Sequence, residues 1–179
     1  RYPSTDLTGD TVTEETVKAE AARWADVNKK QLENKGIKLA PTDLNKGNPT
    51  GTNAAVVNIG SNNQGKGAPI IQVDFAGLAR RLEGVDKKSR YKVFNAILGE
   101  ELTHAAEIIQ FKLEYKKLHG KEPTSDELKT YANARYEAMY ADMQIQERRN
   151  VVAAYENINA DEVVLPEEAT AGKKAQMTK

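Results

Sequence analysis

Cysteine is absent from the 179 residues. That excludes disulfide scaffolds, thiolate zinc sites and cysteine nucleophiles, and leaves the compartment open. An excess of one charge is lacking too. Lys plus Arg number 26 and Asp plus Glu number 26, so formal net charge is zero. Nucleic acid and anionic membranes call for surplus cations, so neither is expected as a partner. No apolar run approaches the roughly 20 residues of a membrane helix, and no signal peptide is visible. A soluble chain of unassigned localisation is the expectation. The first residue is Arg1 rather than Met, which fits a processed product or part of a larger polypeptide. Apolar residues make up 39%, enough for one modest core. The length suits one domain, with or without a tail.

Residues 1–12 are polar and carry no period. Thr13-Glu14-Glu15 supplies a cap and an acidic first turn. Val17, Ala21, Trp24, Ala25, Val27 and Leu32 then recur at helical spacing, so a helix is predicted over 13–35, ended by Lys35-Gly36. Within the Asn-, Gly- and Thr-rich stretch 40–68 and just beyond it, residues 54–59 and 69–75 read as short strands. The segment 60–67 joins them as a loop. Its Gly65-Lys66-Gly67 is no phosphate-binding loop, because the upstream glycine spacing is wrong and no Ser or Thr follows the lysine. Residues 76–82 offer one or two helical turns. Periodicity predicts a helix over 89–118 and a second, capped by Ser125, over 125–157. The tail 161–179 is polar and of mixed charge, and disorder is expected there. The expected class is α+β, mostly helical. A domain over 1–160 would pack a small sheet on the 89–118 helix and the long C-terminal helix.

On the helix 89–118, at about 100° per residue, Phe94, Ile97, Leu98, Leu102, Ala105, Ile108, Ile109 and Tyr115 gather on one broad face. Glu101 falls near the middle of that face and His104 on its flank. Glu100 and Glu107 stand four and three residues from His104, in one stripe. A carboxylate inside an apolar stripe is costly unless it has a partner. Two ionisable groups one turn apart at such a seam mark a candidate functional site. The plainer reading is a buried Glu–His hydrogen bond that only orders the core.

The run Asn95-Ala96-Ile97-Leu98-Gly99-Glu100-Glu101-Leu102-Thr103-His104-Ala105 resembles the active-site helix of the zincin metallopeptidases. The thermolysin-like gluzincins are closest in texture. That family reads His-Glu-x-x-His on a helix, and every step matches here except the first histidine, which is Glu100. The resemblance covers about a dozen residues. Residues i and i+4 of a helix can share one metal ion, with the intervening glutamate facing the bound water. The resemblance therefore implies a minimal zincin-like fold, zinc as cofactor, Glu101 as general base, and His104 with Glu100 as metal ligands. A third ligand would come from the next long helix, where Glu147 is preferred and Asp142 is the alternate. By the same analogy Ile70 to Phe75 would be a substrate-binding edge strand, with Ile71 and Val73 on it, bordered by residues 60–68. Glu100 in place of histidine makes a bound ion less Lewis-acidic and shifts preference towards oxygen-loving metals. Zinc, another divalent metal or no metal are all compatible with that change.

The implied activity is hydrolysis of a polypeptide substrate by a metal-activated water. The competing reading is an inactive structural or interaction module that binds a protein partner within a larger polypeptide, such as a viral one. A ferritin-like di-iron carboxylate site also uses Glu-x-x-His, but it needs a second such pair. The only other histidine, His119, has Lys116 at the required place. His119 instead suits the cationic end of a helix beside Gly120.

Overall fold

A computed structural model of the protein describes residues 5–156. The predicted tail 161–179 and residue 157 lie outside them. The architecture is α+β and mostly helical, with one three-stranded sheet. The chain divides into two units after Leu128.

The helix predicted over 13–35 is two helices, α1 (Glu14–Val27) and α2 (Lys29–Lys35). Thr13 caps α1 through its side chain, as read. The break falls at Asn28, whose backbone amide (3.0 Å) and Nδ2 (2.8 Å) both donate to the Trp24 carbonyl. Gly36, at φ +67°, then ends α2.

A strand absent from the sequence reading follows, β1 (Lys38–Pro41). Next come β2 (Ala55–Ser61) and β3 (Gly67–Val73), joined by a short hairpin turn. Asn62 organises that turn, its Oδ1 accepting from the amides of Gln64 and Lys66. The order is β1-β3-β2, with β1 parallel and β2 antiparallel to β3. Pro69 has no amide to offer β1, and the parallel ladder begins one residue later, at Lys38 opposite Ile70.

β3 is therefore the central strand, which corrects the edge placement expected of Ile70 to Phe75. Ile71 and Val73 are both 0% exposed, so neither side chain can meet a substrate. The reason is β1, whose four residues are too few to show a strand period. The free edge on the antiparallel side belongs to β2. Asp74 N donates to Ala54 O and Asn62 N to Lys66 O, so even-numbered residues of β2 face β3. Ala55, Val57 and Ile59 direct their amides and carbonyls outward.

After β3 come α3 (Phe75–Glu83), a 3-10 turn (Lys87–Ser89), and α4 (Arg90–His119). α4 packs on β3 and β2, and α1 packs on α3. Val17, Trp24, Ile71, Val73, Leu78, Leu82, Phe94 and Leu98 belong to one core. The N-terminal stretch, polar by composition, joins it through Leu7 and Val12, both buried. Buried Arg90 donates from NH1 to the carbonyls of Leu7 (2.8 Å) and Gly9 (2.6 Å), and from Nε to Leu82 O (3.0 Å). Tyr91 OH donates to Thr5 O (2.9 Å).

One carboxylate ties the end of β3 to the loop before β2. Asp74 Oδ1 accepts from the Gly77 amide (2.8 Å) at the start of α3. Its Oδ2 accepts from the Leu44 amide (2.8 Å) and Asn45 Nδ2 (2.9 Å). Burial by itself raises the Asp74 carboxyl, but these donors outweigh it and hold the group below its ordinary range.

α5 (Ser125–Glu156) starts in the first unit and continues in the second. Its cap is Thr124 rather than Ser125. Glu127 N donates to Thr124 Oγ1 (3.3 Å), and Thr124 N donates to Glu127 Oε1 (3.2 Å), a reciprocal capping box. Ser125 Oγ instead donates to Ile59 O (3.4 Å), joining α5 to β2. Tyr115 OH donates to Glu127, and Lys121 Nζ lies 3.1 Å from the same carboxylate. The Tyr115 bond, with the Thr124 amide and Lys121, pushes the Glu127 carboxyl from 4.5 down to about 2.

Two outcomes are expected. Asp74→Ala leaves two amides and the Asn45 side chain without their acceptor, and should destabilise the fold by about 2–4 kcal/mol in urea unfolding. Glu127 has a depressed folded pKa, so its stabilisation is full above about 4.5 and is lost as pH falls towards about 2. Thermal midpoints measured across that range should fall less steeply in Glu127→Gln, which keeps the capping box.

Candidate functional site

α4 is a 30-residue helix whose apolar face is set by burial on the sheet. Phe94, Ile97, Leu98, Ala105, Ile108 and Tyr115 are buried, as the period implied, and Phe111 joins them. Leu102 and Ile109 are partly buried against the main core. Gly120, at φ +70°, stops the helix. His119 lies in the last turn with Lys116 and Lys117, where cations favour the helix dipole. Its ring stacks at 4.2 Å on Tyr115.

The motif turn sits midway along this helix. Glu101 is half-buried and accepts no hydrogen bond among the described residues. Burial holds its carboxyl above the ordinary range. His104 pulls the other way, and Glu100 adds a further upward push. The His104 side chain is 45% exposed and stands between two acids. Its Nδ1 lies 3.3 Å from Glu107 Oε1, and its Nε2 lies 4.0 Å from Glu100 Oε1. Glu107 therefore braces one ring nitrogen while the other is turned towards Glu100, an arrangement seen where carboxylates orient ligating histidines. Thr103 Oγ1 bonds back to Gly99 O (3.0 Å).

The donor set can be tested against zinc. A structural or catalytic zinc needs three or four converging protein ligands. Glu100, at the first-ligand place, has a side chain 73% exposed. Among the described residues no three His, Asp or Glu side chains are grouped so that they could hold a metal ion. Within the first unit Glu100 and His104 supply two donors, fewer than such a centre needs. Glu147 and Asp142, the third-ligand candidates, are exposed residues of α5 in the second unit. Ala141, Ile145 and Ala153 are buried, whereas Met143 and Asn150 are exposed, and Gln146 Nε2 donates to Asn150 Oδ1 (3.0 Å).

Comparison with protein-family models, with curated proteins and with solved structures finds no match. No described helix is long and apolar enough to cross a membrane.

The sequence reading missed a second collection of polar groups, around Asp74. Asp74 directly before an apolar helical turn was a readable cap signal. Its partners Leu44 and Asn45 were not readable, because they come from a loop without period.

An acid with a raised folded pKa binds more protons folded than unfolded, so stability falls as pH rises through the window between the two values. Glu101→Gln removes that loss. The variant should melt higher than the parent at pH 7, and the gap should close at pH values where both forms are neutral. Calorimetry at several pH values checks this.

Proposed function

We propose that this chain is a zincin-like domain whose metal centre is degenerate, and that it binds extended polypeptide without cleaving it. The observation that carries this reading is the donor set on the motif turn. One imidazole and one exposed carboxylate stand where the family places two histidines, and no third ligand joins them among the described residues. A helix with the texture Gly-Glu-Glu-Leu-Thr-His-Ala, laid on a small mixed sheet, supports the family likeness. β2 supports the binding role. It is an antiparallel edge strand packed on α4, and the outward backbone groups of Ala55 and Val57 have no partner among the described residues. An extended segment would add there as a fourth strand, its main chain bonding to those groups. The polypeptide partner can belong to the same larger protein or to another.

A second reading rests on a different observation. Glu101 keeps a raised carboxyl beside an imidazole braced by Glu107, the state a proton-transferring group needs. An active site would then need ligands beyond Glu100 and His104.

Elemental analysis after equilibration with zinc, together with cleavage of an unfolded protein substrate, separates the two. The degenerate reading expects well under one equivalent of zinc and no cleavage by the parent. Glu100→His should raise zinc uptake. One tight equivalent in the parent, with cleavage abolished by Glu101→Gln, would establish the peptidase instead.

A further inference from the structure

A cleft of about 390 Å³ lies at the carboxyl ends of the parallel strands β1 and β3, beside the first turn of α3. None of the motif-turn residues lines it. That volume is in the range of small-molecule sites. The carboxyl ends of parallel strands are where open sheets with helices take ligands.

The wall formed by the loop after β1 is held rigidly. Asn45 Nδ2 donates to Asn53 O (2.8 Å) and to Asp74, and Asn53 N donates back to Asn45 Oδ1 (3.1 Å). Gly51 has no room for a side chain, since a Cβ there would meet Asn45 Oδ1 at 2.2 Å. Gly77 is closed in the same way by Asn53 O at 2.1 Å. The shape of the cleft is thus set before any ligand arrives, which lowers the ordering cost of binding.

Five charged side chains line this space, and three are already balanced. Lys18 Nζ lies 3.4 Å from Glu14 Oε1. Asp74 is surrounded by its donors. Arg80 is different. Its Nε donates to Gly51 O (2.7 Å), which fixes the plane of the guanidinium, and its two terminal nitrogens have no partner among the described residues. Asp43 accepts from the Asn45 amide with Oδ1 (3.0 Å), and its Oδ2 has no partner among the described residues. What remains uncompensated is one anchored cation and one carboxylate oxygen. Phe75 and Pro41 add apolar lining.

We infer that this cleft binds a small zwitterion of the amino-acid or short-peptide class. The ligand's carboxylate meets the Arg80 guanidinium, whose fork matches a carboxylate bidentately. Its ammonium meets Asp43, and its apolar body rests by Phe75. The inference does not depend on the metal state of the motif turn.

Isothermal titration of the whole chain with the dipeptide Gly-Phe and with L-phenylalanine tests it. N-acetyl-Gly-Phe lacks the ammonium, Gly-Phe-amide lacks the carboxylate, and inorganic phosphate probes a bare anion site. At least one zwitterion should bind at millimolar concentration or below, and capping either end should weaken binding by about tenfold or more. In Arg80→Gln the dipeptide and its amide should bind alike. In Asp43→Asn, an exposed position that tolerates change, the dipeptide and its N-acetyl form should bind alike. No binding of either zwitterion, equal binding of capped and uncapped forms to the parent, or binding of phosphate alone would overturn the inference.

Discussion

The burial of one face of α4 against the central strand is the constraint from which the site follows. Ile71 and Val73 of β3, with Phe94 and Leu98 of α4, are all 0% exposed and share one core. Each such side chain contributes about 1.5–3 kcal/mol by leaving water. That term far outweighs the preference of any single polar residue on the same helix. Once Phe94, Leu98 and Ala105 are aimed inward, the helical period leaves position 101 no choice but the seam of the face. Glu101 is carried into partial burial, and its raised carboxyl is the consequence. His104 and Glu100, further round, are carried towards water. The difference in environment between adjacent Glu100 and Glu101 is thus a property of the helix's rotation on the sheet.

The same constraint explains what could be read in advance. Regular period over many residues survives as a signal, so α4 and α5 were predicted within a residue at the ends that are described. Glu101 on the apolar face, read near its middle and found half-buried, and His104 on the flank were likewise legible, because both depend only on the angle per residue. What was not legible depends on contacts far apart in sequence. β1 is four residues long and is a strand only because Ile70 to Val73 lie beside it. Missing it turned the central strand into a supposed edge. The N-terminal residues read as polar, yet Leu7 is fully buried because Arg90 and Tyr91, more than eighty positions away, hold the carbonyls of Leu7 and Thr5. At the break, Asn28 adds a side-chain bond to a Trp24 carbonyl that its own amide already meets, a local detail no periodicity shows.

The proposed function follows from how these parts divide. The motif turn carries Glu101 and His104 one helical turn apart, with Glu100 exposed beside them. The edge strand β2 keeps backbone groups turned outward beside the helix. The cleft at Arg80 is built by a different set of bonds, centred on Asp74 and Asn45. The other two do not depend on the metal state of the first, because neither draws a bond from Glu100, Glu101 or His104.

The proposal of a degenerate centre is tested most directly at the imidazole itself. Proton–nitrogen correlation spectra of the His104 ring, recorded while zinc is titrated to equimolar concentration, report whether Nε2 becomes a ligand. The expected result is that its nitrogen resonances stay in place. Saturable movement of the Nε2 resonance at one equivalent, reversed by a chelator, would contradict the account and return the turn to the zinc enzymes it resembles.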